Sequence, residues 1–341
     1  MRIQRPPRKR GILLGAAMSI VVVVLLFAGL YWVDKTEEKP ETRGDLQARY
    51  TDELISLYGQ TYRLKPNLTS ILLLGIDRAA PEEEDGDFHS GGNADFLRLL
   101  VIDPGDKTVA QLQIDRDTIA EVATLNLIGQ RTDTRPIQIA LSHSYGDGRK
   151  MSCQLTVEAV SRLLLNAPIQ HYAALNLDGI AALNDFVGGV TVLVTDDFSG
   201  VDPALQPGAA VRLTGKQAET FLRSRTQLPI STNEARMARQ QTYLAALTEI
   251  IGEQLKNDPE YIGKLFDAVL PYLTSSMTRT QMVNTAYRAR DYQRTPLIEI
   301  PGSRGVSASG YMEFFADEAA LEQIVLHLFY QEAHTWGSNK R

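Results

Sequence analysis

The first pattern along the chain is an uncharged apolar stretch from Gly11 to Val33, followed by segments in which apolar and polar positions alternate with shorter periods. A helix rises about 1.5 Å per residue and the hydrocarbon core of a bilayer needs roughly 20 apolar residues, so this stretch predicts one transmembrane helix over 11–33. Arg2, Arg5, Arg8, Lys9 and Arg10 precede it, Tyr31 and Trp32 mark its far interface, and Asp34, Glu37, Glu38 and Glu41 follow. The positive-inside bias therefore places residues 1–10 in the cytoplasm and the remainder outside. A cleaved signal peptide would have a shorter apolar region and a small-residue cleavage site. This run ends in Tyr-Trp-Val-Asp, which predicts an uncleaved signal-anchor and a single-pass protein of the cell membrane whose main domain is extracellular.

Residues 34–66 are polar and charged, with an amphipathic helix predicted over Arg43 to Tyr58, and read as an extracellular stalk. The domain proper is expected over 67–335. Its first strand is Ser70 to Asp77, a short apolar run that fits burial on both faces. Phe96 to Ile102 and Thr108 to Ile114 follow, joined by Asp103-Pro-Gly-Asp-Lys107, whose Pro and Gly predict a tight antiparallel turn. Further strands are predicted at His171 to Leu175, Val190 to Val194 and Pro296 to Ile300. Helical spacing runs over Ser152 to Leu165, Leu177 to Phe186, Thr214 to Leu222, Asn233 to Leu255, Tyr261 to Leu273, Thr278 to Tyr292 and Asp317 to Tyr330. Strands interleaved with helices give the α/β class: a single layered domain with a central mixed β-sheet flanked by helices.

Charge and cysteine content narrow the functions. The net charge of -6, from 35 Lys and Arg against 41 Asp and Glu, excludes the basic surface that a nucleic-acid partner requires. One cysteine, Cys153, excludes an intramolecular disulfide framework and a Cys-rich metal site. His89, His143 and His171 lack the i, i+4 spacing of a zinc pair and read as ordinary polar or packing residues. No Gly-x-Ser-x-Gly elbow accompanies Ser142 and Ser144, which argues against a serine hydrolase.

The chemistry-bearing residues fall in two sets. Asp77 ends an apolar strand and Asp95 begins the next after Gly91-Gly92; such carboxylates suit Mg²⁺, which needs one or two of them plus phosphate oxygens. Taken singly, each also fits an ordinary turn aspartate. Arg116, Arg223, Arg225, Arg236 and Arg239 form the second set, with Gln240 one helical turn beyond Arg236. Guanidinium groups present paired donors that match phosphate oxygens, although exposed arginine is common on any helix.

In order, these residues stand in Leu73-Leu-Gly-Ile-Asp77, Gly92-Asn-Ala-Asp95-Phe96, Asp115-Arg116-Asp117-Thr118, Leu213-Thr-Gly-Lys-Gln-Ala218, Phe221-Leu-Arg223-Ser-Arg225 and Arg236-Met-Ala-Arg239-Gln240-Gln241. The series resembles the motifs of the LytR-CpsA-Psr family from about Thr69 to Leu247. The resemblance implies a phosphotransferase that moves a glycopolymer from an undecaprenyl-pyrophosphate carrier onto peptidoglycan in cell-wall assembly. It implies Mg²⁺, or Mn²⁺ in its place, on Asp77 and Asp95. It implies Arg116, Arg223, Arg225, Arg236, Arg239 and Gln240 at the pyrophosphate, with Arg116, Arg223, Arg225 and Asp117 in catalytic roles. The base that takes the acceptor proton stays open between Asp117 and the metal-site carboxylates. A lipid tail requires a long apolar pocket between sheet and helices. Two other uses of the same residues stay open: hydrolysis of polyprenyl pyrophosphates, and lipid binding without turnover by an envelope regulator. The chain departs from the family pattern at Asn93, where Arg is usual, at Phe96 for Thr, at Asp115 for Pro, and in the acidic insertion 81–87.

Overall fold

The structure, a computed structural model, describes residues 54–57, 59–78, 88–89, 91–224, 232–258, 260–289 and 292–333. The expected anchor at 11–33, the acidic insertion 81–87 and Arg225 lie outside the described residues. Among the described residues no helix is long and apolar enough to cross a membrane.

In chain order the strands are β1 (Leu54–Leu57), β2 (Gln60–Leu64), β3 (Thr69–Ile76), β4 (Ala94–Asp103), β5 (Thr108–Ile114), β6 (Ile119–Leu125), β7 (Arg131–Gln138), β8 (His171–Leu175), β9 (Thr191–Leu193), β10 (Ala210–Arg212), β11 (Leu273–Ser275), β12 (Gln293–Glu299), β13 (Gly302–Val306), β14 (Met312–Ala316) and β15 (Tyr330–Glu332). The helices are α1 (Leu141–Ser144), α2 (Lys150–Leu163), α3 (Leu177–Phe186), α4 (Gly215–Arg223), α5 (Asn233–Asn257), α6 (Tyr261–Val269), α7 (Arg279–Ala289) and α8 (Glu318–Phe329).

The central sheet has six strands in the order β11-β8-β3-β4-β5-β12. It is mixed, as expected: β3 pairs parallel to β8 and β5 parallel to β12, while β4 runs antiparallel to both β3 and β5. Alternate residues of β3 explain its apolar run. Ile71 and Leu73 pack with Tyr243, Leu247 and Ile251 of α5 and with α3 to α7, while Leu72, Leu74 and Ile76 pack with Cys153 and Val160 of α2 and Leu321 and Val325 of α8. Two apolar layers therefore sandwich the sheet, and a strand with both faces buried carries no polar alternation.

Local signals account for several boundaries. Asp103 Oδ1 accepts from the Gly105 and Asp106 amides at 2.8 and 3.2 Å and closes the β4–β5 turn. Thr214 and Gln217 form a capping box on α4, Thr232 caps α5, and Asp317 caps α8.

Three expectations change. Residues 54–57 of the predicted 43–58 helix form strand β1, which pairs with β2, and β2 pairs in turn with β15. Leu64 is buried with the α8 layer, so the last part of the presumed stalk belongs to the folded body. The helix expected to reach Leu273 ends at Val269, and Leu273 opens β11. The hairpins β6–β7 and β13–β14 carry no strong apolar alternation and escape the pattern.

Candidate active site

Three sheet-end features converge at the carboxyl ends of β3 and β5, where open α/β sheets commonly bind ligands. Asp77 follows β3 directly. At Asp95 the β3–β4 register shifts: Gly75 pairs with Phe96 but Ile76 pairs with Ala94, so Asp95 is the extra residue of a bulge. Ala94 and Leu97, three apart, consequently face the same apolar layer while Asp95 turns out of the ladder. The loop after β5 supplies Arg116 and Asp117. It is fastened by hydrogen bonds from Thr118 N and Oγ1 to Asp115 O, and by Ala140 N to Arg116 O at 3.1 Å.

These ends open into a polar cavity of about 940 Å³ lined by Asp77, Asn93, Asp95, Arg116, Asp117 and Arg236, with Gln138, Lys216, Glu219, Arg223, Tyr311 and Met312 around them. A narrower apolar arm of about 130 Å³ runs between β3–β4 and helices α3 and α5, past Leu73, Phe96, Leu183, Tyr243 and Leu244. Asp77, Asp95, Arg223 and Arg236 line both spaces, so the charged cluster stands where polar cavity meets apolar arm.

Each charge has a defined partner. Asp95 accepts from Arg116 through one carboxylate oxygen and from Arg236 Nη1 at 2.6 Å through the other. Asp77 accepts from the Asn93 amide at 2.6 Å and from Asn93 Nδ2 at 3.2 Å. Asn93, the departure from the family pattern, thus acts as a neutral clamp on Asp77. Gly92, at φ +72°, permits the approach: a Cβ there would lie 2.9 Å from Asp77 Oδ1. Asp117 accepts from Gln138 Nε2 at 3.2 Å and has Arg116 Nε at 3.4 Å. Arg223, half exposed, approaches Glu219 at 3.6 Å and donates to Asp77 O at 3.5 Å.

Arg239 goes elsewhere. It is buried, donates to Phe221 O at 2.9 Å and to Ser224 O, pairs with Asp196, and sits 5.5 Å from the Phe198 ring centre. It does not line the cavity, and its bonds tie α5 to the end of α4. Gln240 borders the apolar arm rather than the polar cavity. Gln138, Lys216, Glu219, Tyr311 and Met312 were not singled out by sequence. Lys216, Thr220 and Arg223 recur at helical spacing along the face opposite buried Ala218 and Phe221, a usable signal; Tyr311 and Met312 come from a distant hairpin and leave none.

Of the three histidines, His89 is exposed, His171 half-buried and His143 buried. His143 is buried, its ring contacts Gly92 O at 3.1 Å, and burial pulls its pKa below the usual imidazole value. The Cys153 thiol is buried and pushed up by burial, hence inert as a nucleophile.

Among the described residues no three His, Cys, Asp or Glu side chains gather as a metal cage. The donor set still fits a hexacoordinate Mg²⁺, which takes few protein carboxylates and completes its shell with water and phosphate. Asp77 and Asp95 both line the polar cavity, and Asp95 would exchange one of its arginine bonds for the ion.

A model of the LytR_cpsA_psr family matches residues 34–329. The chain belongs to that family. Among curated proteins it is similar to the polyisoprenyl-teichoic acid–peptidoglycan teichoic acid transferase TagU of Bacillus mycoides, at 24% identity over 309 residues, covering 90% of this chain and 93% of the relative. The protein of the same name from Halalkalibacterium halodurans is 27% identical over 226 residues, 64% of this chain and 65% of the relative. Of solved structures, B. subtilis TagV superposes with a TM-score of 0.55 at 24% identity, over 76% of this chain and 95% of TagV. That likeness supports the fold.

Proposed function

We propose that this protein is a phosphotransferase that moves a glycopolymer from a polyprenyl-pyrophosphate carrier onto peptidoglycan. One observation carries the reading. The Asp77, Asp95, Arg223 and Arg236 cluster lies at the junction of a polar and an apolar space, which is the place a pyrophosphate occupies in a molecule with sugar at one end and lipid at the other. The transferase names of the relatives agree with it.

The reaction joins an acceptor hydroxyl to the sugar-side phosphorus and breaks that phosphorus's bond to the bridging oxygen, which leaves with the polyprenyl phosphate. Such transfers depend on positioning and charge stabilisation, so no protein nucleophile is required. Arg116 and Arg236 supply donors on one side, held by Asp95, and Arg223 supplies a half-exposed one from the α4 end. The hydroxyl proton passes to a cavity carboxylate, Asp117 or one of the aspartates of the metal site. Asp77 and Asp95 would hold Mg²⁺, or Mn²⁺ in its place. When bound, the ion neutralises charge developing on the phosphate oxygens. By the family motif Arg225 would add a further cation, and residues 11–33 would hold the domain at the outer membrane face where a lipid carrier is presented.

The apolar arm is smaller than the hollow core expected for a long tail. Leu183 and Tyr243 are packed tightly beside it, so only the head of the tail enters unless these side chains and Leu244 move.

The test is acceptor labelling with the full-length protein in detergent, a defined polyprenyl-pyrophosphate-linked saccharide, peptidoglycan fragments and Mg²⁺. The reading expects covalent label on the acceptor glycan together with polyprenyl phosphate. Release of polyprenyl phosphate and free sugar phosphate without label on the acceptor would replace it with a hydrolase. Tight retention of donor with neither product would replace it with a binding protein.

A further inference from the structure

A buried polar chain runs behind the cavity wall and ends on two of its functional side chains. Asp115, which stands where the family usually has proline, is buried, and its carboxylate accepts three hydrogen bonds. They come from the Asp117 amide at 2.9 Å, from Asn233 Nδ2 at 2.9 Å, and from Arg304 on β13. Asn233 in turn accepts from Arg236 Nη2 at 2.5 Å, and Arg236 Nη1 holds Asp95. Arg304 Nη1 also lies 3.9 Å from Asp117 Oδ2. One guanidinium, 189 positions along the chain from Asp115, therefore sits at the root of both the Arg236 donor and the Asp117 carboxylate.

Arg304 does not line the cavity. The β13–β14 hairpin also has anchors other than this ion pair. Phe314 N donates to Asp117 O at 2.9 Å, Gln138 Nε2 donates to Met312 O at 2.6 Å, and the Phe314 side chain is buried. Those contacts fix the hairpin backbone, whereas the Arg304 head goes to the carboxylates of the loop after β5. A planar guanidinium has a directional set of donors and its charge persists at any relevant pH, so it can hold a carboxylate in one orientation. Asp115 then presents its other oxygen to Asn233 and the Asp117 amide, and Asn233 pins one end of Arg236 while the other end faces the cavity.

We propose that Arg304 and Asp115, acting through Asn233, are positioning residues that aim Arg236 and Asp117 at the transferred phosphoryl group. The proposal rests on the reading of the polar cavity as the pyrophosphate site. Arg236 must exchange at least part of its bond to Asp95 for phosphate oxygens when donor binds, and the Asn233 anchor keeps that exchange to a swing of one nitrogen. Without the anchor the side chain regains its rotamers, and misplacement of a reacting or stabilising group by about 1 Å can cost 10²-fold in rate.

The test compares Arg304→Met, Asp115→Asn, the double variant and Asp95→Asn in the acceptor-labelling assay, with thermal melting of each. Arg304→Met leaves Asp115 buried without its cation and can destabilise the fold, so the double variant, which removes both charges, keeps the test readable. We expect Arg304→Met and Asp115→Asn each to lower kcat by about 10- to 100-fold with donor KM changed by less than about threefold. The double variant should be no slower than the worse single, because the two act as one unit, and Arg304→Lys should recover part of the loss. If Asp95→Asn is inactive while the folded Arg304 and double variants keep wild-type kcat, the proposal is overturned and the cavity reading stands. If Asp95→Asn is itself fully active, the cavity reading has failed, and the relay with it.

Discussion

Asp95 and Asp77 line the same cavity but are held in opposite ways. Asp95 sits in a bulge between two arginines, one of them, Arg236, almost wholly buried and pinned from behind by Asn233. Asp77 is held by a neutral asparagine, and Arg223, which reaches its backbone carbonyl, has a side chain 54% exposed and only long contacts. The first half of the site is built before substrate arrives, since a carboxylate shared by two largely buried guanidinium groups is held from both sides. The second half has an open side on which phosphate, metal or water can replace weak contacts. Transition-state stabilisation gains most from fixed donors and substrate entry from movable ones, so the contrast separates a clamp from a gate.

The comparison breaks most visibly at Asp95. Asp95→Ala leaves Arg116 and Arg236 facing each other without their shared anion, so we expect activity to fall at least about 10³-fold in acceptor labelling. Thermal or denaturant unfolding should show a loss of up to about 3 kcal/mol, the low end for breaking a buried pair because Asp95 is partly exposed. Arg236→Lys keeps the charge but cannot span Asp95 and Asn233 together; kcat should drop about 10²-fold with a small change in melting temperature. On the loose side, Arg223→Ala should cost about 10-fold, mostly as a raised donor KM, and the wild-type KM should rise with salt because this contact is open to screening. Asn93→Ala retains the backbone bond to Asp77 and loses the Nδ2 bond, so a loss below about 5-fold is expected, seen as a higher Mg²⁺ requirement in a metal titration. Equal losses for Arg223→Ala and Arg236→Lys would erase the distinction between clamp and gate.

A smaller effect follows beneath the Asp77 half, where His143 touches Gly92 O. Burial depresses the pKa of His143 and of His171. Below about pH 6.5 the unfolded chain binds protons that the folded chain refuses. Their contribution to stability is therefore complete above that pH and lost as pH falls through the depressed folded values. Melting temperature should decline from pH 7 to pH 5, and His143→Gln should flatten part of that slope.

Much of the site was legible because its residues stand at ends of short apolar runs. Asp77 closes β3, Arg116 and Asp117 follow β5, and Arg236 lies one turn into a capped helix, each within a few residues of a strong local signal. Arg239 shows the limit of that reading. It shares a motif and a helix with Arg236, yet three residues along the helix turn it by roughly 300°, enough to carry it from the cavity into the α4–α5 junction beside Phe198 and Asp196. Gln138, Tyr311 and Met312 were not legible, because β7, β14 and the turn before β14 are largely exposed or half-buried and meet the loop after β5 only through tertiary contacts.

By itself the sequence determined the strand and helix periodicity, the mixed α/β layers, the order of the family motifs and the excess of acid over base. These depend on near-neighbour spacing, which period and capping encode directly. Tertiary structure alone decided that β2, with β1 paired to it, joins the C-terminal strand, that a one-residue register shift turns Asp95 out of the ladder, and that Asp115 meets Arg304. The reason is physical: register and the pairing of distant charges are set by what the two apolar layers leave uncovered at the sheet's end, and no local pattern records which remote side chain fills that space.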